Sequence, residues 1–398
     1  MSYTTDYQLL KKRFELLANR ETQSVQLDER TEILRVPFRS SFALPAATKL
    51  PAENAPARVR PSSGIESLGS VRDEQVSENR DFDYYLLRTI GGDPRAGTIL
   101  LFHGLNERSW DKYLPWAQEL NRRTGKRVVL FPIAFHMNRA PKEWSSPRSM
   151  AAVAEERRRL YPSLHEVSLA NAALSTRLQL DPRRFLYSGY QTFEDVVALV
   201  RGIRSGDNAQ IPPGGGVDLF GYSIGAFLTE FLLLGNPEGL FGDSRAFLFC
   251  GGATLDGMNP VSRYIMDSGA GASMSEYYNE ELSADVESGS PVRWIFSRLQ
   301  SLSLLFRSLI SAETFRGIRD GYLSAVRGRL RAVALAGDSV IPHSAVGRAI
   351  STADAPLRVL DFPFPYTHVQ PFPLIDRLRE EVDSAFAQVF AEAASVYS

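Results

Sequence analysis

Gly216-Val217-Asp218-Leu219-Phe220-Gly221-Tyr222-Ser223-Ile224-Gly225-Ala226-Phe227 is the stretch around which the rest of the chain is arranged. Gly214, Gly215 and Gly216 end a loop, and Val217 to Tyr222 read as a short buried strand. From Ile224 the apolar spacing turns helical, with Phe227, Leu228, Phe231, Leu232 and Leu234 close to one face. Gly221-x-Ser223-x-Gly225 therefore falls on a strand-to-helix turn, the context that gives this spacing chemical meaning. Such a turn lifts a serine clear of the sheet in a strained backbone, and glycines two residues either side remove side chains that would collide there. The helix that follows turns its free N–H groups and positive dipole end toward the reacting centre. The bland alternative is a serine in an ordinary glycine-bearing turn. Strand before and helix after put the nucleophile reading of Ser223 ahead of it.

Working outward, the chain alternates strand and helix. Tyr84–Ile90, Thr98–Phe102 and Arg127–Phe135 are expected strands, the last interrupted by Pro132, with a helix through Leu114, Trp116, Ala117 and Leu120 between the second and third. A helix from Thr192 (as N-cap) to Ile203 precedes the central stretch. Strands at Ala246–Cys250, Arg331–Ala336 and Leu357–Phe362 follow it, with helices from Ser344 and over Leu374–Ala394. Short links between such elements are the mark of a parallel sheet with right-handed crossovers.

Two insertions break the rhythm. Residues 136–182 are basic and helix-prone, and the run Glu155–Arg159 reads as a solvated helix face, with an anion site as the minor alternative. Residues 256–328 begin as loop and then carry Ile295, Leu299, Leu302, Phe306 and Leu309 at helical spacing. That stripe fits a lid helix roofing the site and equally an ordinary helix packed on the body. Residues 1–80 are expected as an N-terminal extension: a short amphipathic helix over Thr5–Leu17, an edge strand Thr31–Phe38 containing Pro37, and a Pro/Ala/Ser-rich linker over Ala43–Gly64.

At 398 residues with 44% hydrophobic and 23% charged residues, the chain has ample material for a core. A formal net charge of −1 offers no field to gather nucleic acid or an anionic membrane, so nucleic-acid partners are set aside. The single cysteine, Cys250, excludes an internal disulfide and reads as a buried strand position. The first seventeen residues hold charges and no continuous apolar run, so neither a signal peptide nor a membrane span is expected and the cytoplasm is the expected location.

A serine hydroxyl needs a base within hydrogen-bond reach, and imidazole suits the task near neutral pH. Of the five histidines, His368 follows the last strand and should emerge at the same sheet edge as Ser223. The base needs an orienting acid. Asp338, directly after Val333-Ala334-Leu335-Ala336, is the leading candidate; Asp256 is its main rival, and Asp361 is less well placed.

Ser223, Asp338 and His368, in that chain order, resemble the triad of the α/β-hydrolase superfamily. Gly221-Tyr222-Ser223-Ile224-Gly225 is similar to that family's nucleophile elbow, Asp338-Ser339-Val340-Ile341-Pro342 to its acid-bearing turn, and His103-Gly104-Leu105 to its oxyanion loop. The likeness covers residues 81–255 and 329–398. It implies an eight-stranded, mostly parallel sheet flanked by helices, a lid or cap at 256–328, no metal and no cofactor. It also implies an oxyanion hole from the backbone N–H groups of Leu105 and Ile224, with His103 and Gly104 supporting that loop. Tyr222 and His136 are candidate pocket residues. The chain departs from the pattern in the bulky Val369-Gln370-Pro371-Phe372-Pro373 after the histidine and in the lengths of its extension and insertions.

The resulting expectation is a serine hydrolase acting on a small carboxylic ester through an acyl-enzyme. Amidase or peptidase, thioesterase and acyltransferase chemistry use the same residues. A non-catalytic hydrolase-like binding protein and an interfacial lipase remain further alternatives.

Overall fold

A computed structural model of the chain describes residues 2–43, 64–350 and 356–398. Most of the expected 43–64 linker lies outside the described residues.

Nine strands form one sheet: β1 (Ser24–Gln26), β2 (Thr31–Arg39), β3 (Asp81–Thr89), β4 (Thr98–Phe102), β5 (Arg127–Leu130), β6 (Val217–Tyr222), β7 (Ala246–Phe249), β8 (Leu330–Leu335) and β9 (Leu357–Leu360). Their order is β1-β2-β3-β5-β4-β6-β7-β8-β9. From β5 to β9 neighbouring strands are parallel, whereas β1, β2 and β3 pair antiparallel with their neighbours. The resemblance implies eight strands from residue 81 onward; that part of the chain supplies seven, β3 to β9, and β1 and β2 precede it. Ser-Val-Gln carries no strand pattern of its own and becomes a strand only by pairing with Glu32–Leu34 of β2. The segment expected as an extension thus supplies two strands to the same sheet, β2 pairing with β3 from Thr31↔Thr89 to Arg39↔Asp81. Pro37, which lacks an N–H, sits beyond the reach of β1, where the β2 edge is open.

Both faces of the parallel strands are covered. Leu100 and Phe102 of β4 pack in the cluster that includes Phe193, Phe231 and Leu232, while Ile99 and Leu101 face Trp116, Phe386 and Phe390. Alternate residues of one apolar run thus serve two cores. On the second side the N-terminal helix Tyr3–Glu15 lies against helices Tyr113–Thr124 and Arg379–Tyr397, with Tyr3 stacked on Phe386 at 4.6 Å.

Three sequence expectations change in the structure. The helix expected from Thr192 runs from Arg183 to Ser205. Thr192 is therefore mid-helix, its hydroxyl donating to Ser188 O (2.7 Å) and accepting from Ala134 N (3.0 Å) rather than capping. The stripe around Leu299–Leu309 divides into helices Pro291–Leu299 and Leu302–Ser308, because Gln300 adopts φ 49° and ends the first. The run Glu155–Arg159 is not wholly solvated: Arg157 is 1% exposed and its guanidinium grips Asp267 at 2.6 and 2.8 Å. Because Asp267 also caps helix Ser268–Glu276, this buried pair joins the first insertion to the second. Among the described residues no helix is long and apolar enough to cross a membrane.

Candidate active site

Ser223 follows the last residue of β6 and precedes helix Ile224–Gly235, with φ 57° and ψ −122°. A non-glycine residue there is strained, and the surroundings hold it. Ser223 N donates to Phe249 O (3.2 Å), continuing the ladder between β6 and β7. The flanking glycines are required by close approach. A Cβ on Gly221 would lie 2.5 Å from Ala226 Cα, and one on Gly225 would lie 2.5 Å from Phe102 O. Gly251, on the neighbouring strand's exit, is equally constrained, since its Cβ would meet Ala226 Cβ at 2.3 Å.

His368 and Asp338 come from the segments after β9 and β8 and meet Ser223 at the carboxyl edge of the sheet. Ser223 Oγ lies 2.7 Å from His368 Nε2, and His368 Nδ1 lies 2.7 Å from Asp338 Oδ2. A carboxylate only accepts, so Nδ1 carries a proton and donates; in the neutral ring Nε2 is then free to accept the serine proton. The other carboxylate oxygen, Oδ1, accepts from Val340 N (2.9 Å) and Ile341 N (3.0 Å). All three side chains are 5% exposed or less. The rival acids are engaged elsewhere. Asp256 accepts from Thr254 Oγ1 (2.6 Å) and Ala312 N, and Asp361 accepts from Tyr366 OH (2.9 Å).

Leu105 and Ile224 lie beside Ser223, and among the described residues neither backbone N–H has an acceptor. His103 is fully buried just before that loop. Its Nδ1 lies 2.8 Å from Gly104 O and its Nε2 accepts from Ile133 N at 2.9 Å, so the ring bridges the ends of β4 and β5 as a neutral tautomer. Burial, reinforced by His136, pushes its pKa well below the ordinary imidazole value. Gly104 packs on the Tyr222 ring, where a Cβ would come within 3.2 Å. His165 and His343 are exposed.

Tyr222, expected among pocket residues, lines neither of the two cavities described below. It points to the sheet face opposite that of Gly221, stacks on the His368 ring at 5.6 Å, and its hydroxyl donates to His368 O. Sequence spacing offered no sign of its further neighbours Glu107, Lys112 and Tyr113. Lys112 Nζ pairs with Glu107, donates to Val369 O (3.0 Å) and sits 4.6 Å from the centre of the Tyr222 ring. Tyr113 OH accepts from Gly104 N (3.0 Å) and donates to Glu107 Oε1 (3.1 Å). The loop at Gly104 and the loop that carries His368 therefore share one polar network. A lone Lys or Tyr in a helix start carries no motif, so only the tertiary fold reveals it.

Two cavities meet at Leu105, Phe185 and Ile224. The larger, about 130 Å³, reaches Ser223 and is walled by Met266, Met274 and Tyr278 of the second insertion. The smaller, about 70 Å³, runs between helices Arg183–Ser205 and Ile224–Gly235 and is closed by His136, Leu299 and Phe306. The stripe expected as a lid or as a body helix thus packs in the main core while lending these two side chains to a cavity wall. Among the described residues no three His, Cys, Asp or Glu side chains gather as a metal site requires.

The model of one family, described as a family of unknown function (DUF6051), matches residues 1–398, and the chain belongs to that family. No curated protein matches the sequence. Among solved structures the chain is similar to a thermostable esterase from Pseudomonas putida ECU1011, at 12% identity over 80% of each chain with a TM-score of 0.44. It is also similar to carboxyl esterase 2 from the mycorrhizal fungus Tuber melanosporum, at 11% identity over 80% of this chain and 82% of that one with a TM-score of 0.42. The peroxisomal alpha-beta-hydrolase Lpx1 from Saccharomyces cerevisiae shares 12% identity over 92% of this chain and 91% of its own, with a TM-score of 0.41. These likenesses are distant, and the reading of the site rests on its own geometry.

Proposed function

We propose that this member of DUF6051 is a serine hydrolase of the α/β-hydrolase type that cleaves a carboxylic ester through an acyl-enzyme. The observation that carries the reading is the unbroken line from Ser223 Oγ through both nitrogens of His368 to Asp338 Oδ2, each link 2.7 Å. Ser223 Oγ attacks the ester carbonyl carbon as its proton passes to His368 Nε2. Asp338 holds the imidazolium that forms. The carbonyl oxygen, now an anion, takes the N–H groups of Leu105 and Ile224, each such donor supplying about 2.7–4 kcal/mol. Collapse breaks the C–O bond, and His368 returns the proton to the departing alcohol. Water then attacks the acyl-enzyme with His368 again as base, releasing the acid and restoring Ser223.

The strain at Ser223 and the tight glycine packing support the nucleophile's assignment, since such a conformation is kept only where it is over-determined. The second insertion walls the larger cavity and is braced from behind by the first through the Arg157–Asp267 pair. Amide, thioester and acyl-transfer chemistry would use the same residues, and the lining of the smaller cavity, which holds no Asp, Glu, Lys or Arg, favours an uncharged, largely apolar ester among them.

Labelling by a fluorophosphonate probe tests the proposal. Wild type is expected to be labelled on Ser223, and Ser223→Ala not at all. A folded wild type that resists the probe, or a mutant still labelled, would refute it.

A further inference from the structure

The smaller cavity is lined mainly by apolar side chains, with no Asp, Glu, Lys or Arg among them, whereas the larger one takes in the exposed polar residues Asp256, Ser275 and Asn279. An acyl chain held by apolar contact through both halves of an acyl-enzyme reaction fits the apolar side, and a departing alcohol fits the more polar one.

Most polar side chains lining the smaller cavity are already engaged. Ser188 Oγ donates to Phe185 O (3.0 Å), Thr192 is bonded to Ser188 O and Ala134 N, and Tyr190 OH accepts from Arg298 Nε (3.4 Å). His136 is different. Its Nδ1 lies 2.9 Å from Ala134 O, so that nitrogen carries the proton and donates to the carbonyl. The residue is 4% exposed, and burial holds its pKa down at about 4, so the ring is neutral. Nε2 is then a lone-pair acceptor, buried, and among the described residues it has no partner. Buried acceptors are normally satisfied, and one left open in an apolar chamber beside a reaction centre calls for a donor from outside the chain.

We infer that the smaller cavity holds the acyl part of the substrate and that His136 Nε2 accepts a hydrogen bond from a hydroxyl on that acyl chain. The preferred substrates are then esters of hydroxylated, otherwise apolar carboxylic acids. The inference rests on the serine-hydrolase reading above. A site built to bond a hydroxyl discriminates against the analogue lacking it more strongly than an apolar wall discriminates between chain lengths.

The test compares p-nitrophenyl hexanoate with its 2-, 3- and 6-hydroxy derivatives, which share one leaving group and do not close readily to five- or six-membered lactones. Wild type is expected to cleave one isomer at least tenfold more efficiently, by kcat/KM, than the plain ester. In His136→Phe that ratio should fall to near one. His136→Gln, whose amide oxygen can accept, should recover part of it and serves if the phenylalanine variant does not fold. Ratios within threefold across the panel in wild type would overturn the inference. They would assign Nε2 to a water shared with Arg108 Nη1, which among the described residues is also buried without a partner. Fluorophosphonate labelling of Ser223 in the same preparations separates the failures. Label without preference removes only the hydroxyacid inference, whereas absence of label removes the hydrolase reading and the inference with it.

Discussion

Replacing Asp338 by asparagine should silence turnover while leaving the fold in place. The two oxygens of Asp338 have different duties: Oδ1 accepts from the N–H groups of Val340 and Ile341, and Oδ2 accepts from His368 Nδ1. An asparagine has one oxygen to place. At the Oδ1 position it keeps two backbone bonds; turned the other way it would set its NH₂ against two N–H donors, each costing roughly 1–3 kcal/mol when buried and unmet. The first arrangement wins, so the NH₂ faces His368 Nδ1. Two donors cannot share that contact, and the ring moves its proton to Nε2. Nε2–H then faces Ser223 Oγ with no lone pair to receive the serine proton. A base locked in the wrong tautomer costs about 10⁴ in turnover, or about 5 kcal/mol of transition-state stabilisation. The assay is p-nitrophenol release from a short-chain ester at pH 7.5, with thermal unfolding as the control for folding. A folded Asp338→Asn enzyme within tenfold of wild type would refute the orienting role.

Glu230 is 2% exposed on helix Ile224–Gly235, and burial raises its pKa from 4.5 to about 8. Between those values the folded state holds a proton that the unfolded chain has released. Its contribution is therefore intact below pH 4.5 and lost as pH rises toward 8, roughly 4 kcal/mol between pH 5 and 8 at about 1.4 kcal/mol per pH unit. Urea denaturation of Glu230→Gln should lack that slope, and parallel curves for the two proteins would contradict the assignment. Gly225→Ala puts a methyl 2.5 Å from Phe102 O and 2.8 Å from His103 O, so the helix start must retreat from β4. A shift near 1 Å at the reacting groups costs about 10²-fold, so kcat should drop at least that far, with a stability loss of about 1–3 kcal/mol measured by urea titration. Asp267→Ala leaves the Arg157 guanidinium buried without its carboxylate and should cost about 3–5 kcal/mol. The double variant Arg157→Met with Asp267→Leu should recover most of it in the same titration.

The local pattern of this chain determined most of its elements and their layering. Apolar runs such as Thr98–Phe102 and Val217–Tyr222 could only be buried strands, and the Gly221-x-Ser223-x-Gly225 turn marks its own strain because the need for small residues is written in the neighbouring positions. Periodicity reports what a segment does with its own faces, and it failed where the cause lay in another segment. Ser24–Gln26 is a strand only because Glu32–Leu34 lies beside it. Arg157 is buried only because Asp267 comes from a hundred residues away to receive it, and Thr192 is mid-helix because the residues before it pack as well as those after. The same limit governs the site. That Ser223, Asp338 and His368 share a sheet edge was legible from their positions after strands. Which carboxylate stands behind the imidazole, and that His136 keeps an unmet acceptor beside an apolar chamber, were decided by tertiary packing. Hydrogen-bond partnership is a matter of tenths of an ångström between distant segments, and no one-dimensional spacing carries it.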